Sequence, residues 1–138
     1  MRHSEFTPEY VETVPEELKE GRLYISKRFR TASHLCACGC GRRVVTPLKP
    51  AKWTLKEKNG AVSLCPSIGR WQLPCQSHYW IRHNKVIWSR AFSEEEIADV
   101  LRRDAEDLRD YYAQRRESST KRHVFARLWR WVTRKKAS

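Results

Sequence analysis

All six prolines and all five glycines of this 138-residue chain lie before residue 76, and neither residue type occurs after it. Proline and glycine punctuate turns and weaken helix interiors. The first part of the chain must therefore turn often, which suits short strands, and the remainder is free to run as helix. Leu23-Tyr24-Ile25-Ser26 and Arg43-Val44-Val45-Thr46 read as strands, the second ended by Pro47. Trp53-Thr54-Leu55-Lys56 and Ala61-Val62-Ser63-Leu64 flank Asn59-Gly60, a strong hairpin turn. Tyr79-Trp80-Ile81 and Val86-Ile87-Trp88 flank a second turn at His83-Asn84-Lys85. Pro66-Ser67-Ile68-Gly69 reads as a loop, and residues 1–20 as an extended acidic arm with a helical turn near Pro15.

Beyond residue 92 the pattern changes period. Ser93-Glu94-Glu95-Glu96 has the form of a capping box. Ile97, Val100, Leu101, Ala105, Leu108, Tyr111 and Tyr112 then fall on one helical stripe. Glu117-Ser118-Ser119-Thr120 reads as a polar linker, followed by a second, basic helix with an apolar arc at Val124, Phe125, Leu128, Trp129, Trp131 and Val132. The expected fold class is α+β: a small antiparallel β module, one long helix and a basic amphipathic C-terminal helix. The expected organisation is an arm at 1–20, a β module carrying the site at 21–92 and a helical extension at 93–138.

Composition narrows the class. The chain is 40% hydrophobic and 32% charged, which supports a folded core and excludes a disordered chain. No apolar run approaches the roughly 20 residues of a membrane span. No apolar segment follows Met1-Arg2-His3-Ser4-Glu5, so no signal peptide is expected and a reducing cytoplasm is. The net charge of +12 is unevenly spread: residues 1–20 hold six Glu against Arg2 and Lys19, and residues 115–138 hold nine Lys/Arg against Glu117.

In a reducing compartment five cysteines read as metal ligands before disulfides. Three alternate in His34-Leu35-Cys36-Ala37-Cys38-Gly39-Cys40-Gly41, and a fourth heads Cys75-Gln76-Ser77-His78. Thiolates are soft donors that select zinc over hard cations. The candidate ligands Cys36, Cys38, Cys40, Cys75 and His78 outnumber the four a tetrahedral Zn2+ needs. Four cysteines would close the site and leave His78 free; three with His78 would spare a cysteine. Cys65 stands apart as a core residue.

Ser67 lies between Pro66 and Gly69, where a hydroxyl can be presented rigidly, and His34 and His78 are the nearby candidate bases. The bland reading of Ser67 is a turn residue. Trp53, Trp71, Trp80, Trp88, Tyr24 and Tyr79 could stack bases but read more simply as core filling. The basic tail reads either as a binder of a membrane surface or acidic groove, or as a helix docked on its own domain. Contact of this helix with nucleic acid or membrane is the less favoured reading of its partners.

His34-Leu-Cys-Ala-Cys-Gly-Cys-Gly, Val45-Thr-Pro-Leu48, Trp53-Thr-Leu55, Val62-Ser-Leu64, Pro66-Ser-Ile-Gly69 and Cys75-Gln-Ser-His-Tyr-Trp-Ile81 together resemble the BubE family of bacterial ubiquitin-like conjugation operons, over about residues 15–90. The sequence departs from the family pattern at Arg70 and Cys65. The resemblance implies a peptidase that processes or deconjugates a ubiquitin-like protein at its C-terminus, with that protein and other operon components as partners and a place in antiphage defence. It implies a serine mechanism with Ser67 as nucleophile and His34 as the first-choice base, zinc being structural. A metallopeptidase using His78 and an open zinc position is the variant, and a non-catalytic zinc module that recruits a ubiquitin-like protein, an acidic partner or nucleic acid is the alternative.

Overall fold

The computed structural model describes residues 1–136. They divide into a unit spanning Met1–Ser93 and a second unit that starts at Glu94.

The first unit is built from eight strands: β1 (Thr7–Tyr10), β2 (Arg22–Ser26), β3 (Thr31–Leu35), β4 (Arg43–Pro47), β5 (Thr54–Lys58), β6 (Ala61–Gly69), β7 (His78–Arg82) and β8 (Lys85–Trp88). They form two four-stranded sheets, ordered β1-β2-β3-β4 and β5-β6-β7-β8. Every neighbouring pair is antiparallel except β1 with β2. Both sheets feed one apolar cluster. Leu23, Ile25, Ala32 and Val44 enter it from the first, and Val62, Leu64, Ile68, Tyr79 and Ile81 from the second. Inward residues alternate with outward ones, as in Arg43–Pro47, where Val44 is buried and Val45 exposed.

The two hairpins arise as the turn chemistry dictates. Asn59 and Gly60 both have positive φ, as a two-residue turn of the mirror-image type requires. His83 and Asn84 do the same between β7 and β8, and the Asn84 side-chain oxygen accepts from the Val62 N–H.

The acidic arm is woven into the unit. His3 N–H donates to Ala37 O at 2.7 Å, Phe6 N–H to Asn84 O at 2.8 Å and Val86 N–H to Ser4 O at 2.8 Å. Residues 3–6 thus touch the first sheet's cysteine loop and the second sheet's hairpin before β1 joins β2. Phe6 is wholly buried in the shared core. The helical turn expected near Pro15 is absent; residues 12–20 bend without helix.

Two further expectations change. The loop at Pro66–Gly69 is part of β6, which pairs irregularly there. Leu64 faces Ile81 and Ile68 faces Tyr79, so β6 advances four residues while β7 advances two. Pro66 has no N–H to give to the ladder, so the irregularity falls where pairing is weakest. The second unit is one helix, α1 (Glu94–Lys136), not two. Nothing in Glu117–Thr120 forces a break: Ser118 Oγ donates to Arg115 O and Thr120 Oγ1 to Arg116 O, so these side chains fold back onto the helix. Its first turn carries Glu94, Glu95 and Glu96, favourable at a positive helix end.

Candidate active site and cysteine centre

The irregular stretch of β6 puts Ser67 beside the first residue of β7. Ser67 Oγ lies 2.9 Å from His78 Nε2. With a neutral imidazole protonated on Nδ1, the hydroxyl donates to Nε2, the arrangement from which a serine is deprotonated. His78 is only 8% exposed. Burial, and then the positive charge of Arg90, hold its pKa below the ordinary histidine value. The ring is therefore neutral at neutral pH and able to accept a proton.

Aromatic rings enclose this imidazole. Trp71 meets it edge-on at 4.8 Å between centroids, Phe92 edge-on at 4.7 Å, and Trp80 lies tilted at 5.3 Å. Trp71 and Phe92 stack on each other at 5.0 Å. His78 Nδ1 is buried without a hydrogen-bond partner among the described residues, so packing rather than a carboxylate fixes the ring. A cleft of about 190 Å³ reaches His78, lined also by Trp71, Trp88, Phe92, Arg2 and Arg90. The Arg2 guanidinium sits over Trp88 at 4.6 Å and that of Arg90 over Phe92 at 4.9 Å.

His34 stands elsewhere. It is fully buried, its Nε2 2.8 Å from Tyr79 Oη. Burial, with Arg70's charge second, pushes its pKa down to about 3. The Tyr79 oxygen also accepts from Ala37 N–H at 3.4 Å, tying β7 to the cysteine loop. Of the two candidate bases, the ring that meets Ser67 is that of His78, while His34 meets Tyr79. The reason is register, since β3 carries His34 into the core of the first sheet while Gly69 of β6 pairs directly with His78.

Cys36, Cys38, Cys40 and Cys75 bring their sulfurs within 4.8 Å of one another. A tetrahedral zinc with Zn–S bonds of about 2.3 Å sets its sulfurs about 3.8 Å apart, close to the 4.0 Å between Cys36 and Cys75. Gly39 and Gly41 both have positive φ, which lets alternate cysteines converge. Burial pushes the Cys36 thiol up to about 12. Burial would raise Cys38 too, but hydrogen bonds with the Ser77 hydroxyl, Cys40 and Cys36 bring it down to about 6. Crowded thiols of which one ionises readily suit a soft divalent cation, and these four residues could bind a metal ion. His78, the fifth candidate ligand, is not in this group; its Nε2 faces Ser67. Cys65, half-buried, is also outside it.

Of the tryptophans read as core, Trp53 and Trp88 pack against the apolar cluster, whereas Trp71 and Trp80 surround His78. Sequence reasoning missed Trp71, Phe92 and Arg2 as site residues. The one local signal was Gly69. A Cβ there would strike the Trp71 indole, so the glycine is needed for that ring to lie against the strand. Gly69→Ala is expected to displace Trp71 from His78. Tryptophan fluorescence alongside a melting curve would show it, the melt staying near that of the parent protein.

Residues 10–89 match the family described as bacterial ubiquitination-like system serine protease (BubE), more than half of the chain, and the chain belongs to that family. No curated protein and no solved structure matches it.

Proposed function

We propose that this member of the BubE family cleaves the peptide or isopeptide bond that follows the C-terminus of a bacterial ubiquitin-like protein, with Ser67 as nucleophile and His78 as general base. The observation that carries the reading is the 2.9 Å contact between Ser67 Oγ and a buried, neutral His78, whose ring lines an aromatic-walled cleft. Ser67 Oγ attacks the scissile carbonyl as its proton passes to Nε2. The imidazolium then gives that proton to the leaving amine, leaving an acyl-serine. A water, deprotonated by His78, attacks the ester; the C–Oγ bond breaks as His78 returns the proton to Ser67 Oγ, and the ubiquitin-like protein departs with a free carboxylate. Arg2 and Arg90 give the cleft positive charge, which favours a chain end that becomes anionic on cleavage.

The four cysteines fit a closed zinc site, with Cys36, Cys38, Cys40 and Cys75 as the ligands. When bound, zinc would supply structural cross-linking between the β3–β4 loop and the segment that leads into β7. A closed four-thiolate site has no open position for substrate water, so the metallopeptidase variant gains no support. A cytoplasmic setting suits this reading, since thiols stay reduced there.

Mass spectrometry of a ubiquitin-like precursor from the same operon, after incubation with the protein, tests the proposal. A single cut near the precursor's C-terminus is expected. An intact precursor, with the protein folded and metal-loaded, would move the weight to a recruiting module without chemistry.

The pH profile gives an independent check. The base must be neutral, and burial holds His78 below the ordinary value of 6.5. Activity should therefore rise with pH along a limb whose midpoint lies below 6.5, and kcat/KM should already be flat near neutrality. A midpoint at or above 6.5 would mean that the base is a solvated histidine elsewhere.

A further inference from the structure

From the C-terminal part of α1 we infer that residues 121–136 form an interfacial helix that lies on an anionic lipid bilayer. The helix divides sharply by charge. Residues 94–117 hold nine Asp/Glu and five Lys/Arg, whereas residues 121–136 hold seven Lys/Arg and no acidic residue. At about 100° per residue, Trp131, Val124, Leu128, Val132, Phe125 and Trp129 fill an arc of about 160°. Arg122, Arg130, Arg134 and Arg127 project from the other side, while Lys121 falls within the arc. The arc is in solvent: Phe125 is 74% exposed, Trp129 73% and Leu128 53%.

A surface that is both apolar and anionic uses both faces at once. A nucleic acid would engage the arginines and leave two tryptophans and a phenylalanine in water. An uncharged apolar protein groove would take the arc and leave Arg122, Arg127, Arg130 and Arg134 without a use. At a bilayer surface the arc sinks to the headgroup–acyl boundary, the tryptophans prefer that depth, and the arginines reach lipid phosphates. No helix among the described residues is long and apolar enough to cross a membrane, so this one lies along the surface. The family match ends at residue 89, so the device belongs to a part of the chain that the family pattern does not cover.

The test is co-sedimentation of the full chain with vesicles of phosphatidylcholine mixed with phosphatidylglycerol, and with vesicles of phosphatidylcholine alone. Binding to the mixed vesicles is expected, weaker by about tenfold or more on the neutral ones. The double variant Phe125→Glu, Trp129→Glu alters two exposed positions and should reduce binding to the mixed vesicles at least about tenfold while leaving the β unit's melting transition in place. No binding to the mixed vesicles would overturn the inference. So would binding that the double variant leaves unchanged, since charge alone would then explain it. Concentration-dependent self-association of the parent chain in light scattering, abolished by the same double variant, would overturn it too, because the arc would then be covered by a second copy.

Discussion

Ser67→Ala is expected to cut turnover at least about a thousandfold while leaving the fold and the metal content of the protein unchanged. Ser67 is half-buried on β6, and its hydroxyl makes one side-chain contact, with His78 Nε2. Removing one oxygen there leaves a small gap beside a ring held by aromatic packing. Melting temperature should therefore move little. His78→Ala should lose activity on a similar scale, since it removes the nitrogen to which the Ser67 hydroxyl donates. His34 behaves differently. Its replacement by Gln disturbs a buried partner of Tyr79 and should lower stability by about 1–3 kcal/mol. Activity per folded molecule should persist. A fluorophosphonate probe with peptide mapping checks the same point without a substrate: the label should fall on Ser67, vanish in Ser67→Ala and drop sharply in His78→Ala. Full labelling of His78→Ala together with none of the His34 variant would restore His34 as the base.

Loss of the metal should have the second large effect. The cysteine loop holds Cys36 and Ala37 of the shared core, accepts the His3 N–H through Ala37 and reaches Tyr79 through the Ala37 N–H. Cys75 lies three residues before His78. Structural zinc contributes about 10 kcal/mol or more to small metal-pinned folds, which is comparable with the whole stability of a domain this size. Chelation, or Cys36→Ser, is therefore expected to abolish cooperative unfolding of the β unit and all turnover together. One metal ion per chain should be found by elemental analysis of the parent protein. Cys65→Ser, which alters a cysteine outside the cluster, should leave metal content unchanged. A chelated protein that still melts cooperatively would show that the four thiols merely pack.

Cys36, Cys38 and Cys40 were legible in the chain because their signal is local. Glycines with positive φ let Cys36, Cys38 and Cys40 converge within a five-residue span, and spacing alone exposes that. The Asn59-Gly60 hairpin is read the same way. β1 and β3 were not read as strands. Thr7–Tyr10 has no apolar alternation and forms because it pairs with β2, while Thr31–Leu35 hides small and polar residues in a core flank. The linker at Glu117–Thr120 was misread because serine and threonine were taken for breakers, whereas Ser118 and Thr120 bond back to carbonyls of their own helix.

The sequence by itself determined which elements turn, that Cys36, Cys38 and Cys40 can converge and that Ser67 sits in a constrained segment. Each depends on residues within a few positions of one another, where backbone geometry leaves few choices. Only the tertiary structure shows which of the two histidines lies beside Ser67. His34 lies 33 residues before Ser67 and His78 lies 11 after it, and neither interval says which ring arrives. That depended on a shift in how β6 pairs with β7, which sets Gly69 opposite His78 and buries His34 against Tyr79. Strand register is a long-range property: it is fixed by which faces must be buried once both sheets close on one core, and no short stretch of the chain contains that information.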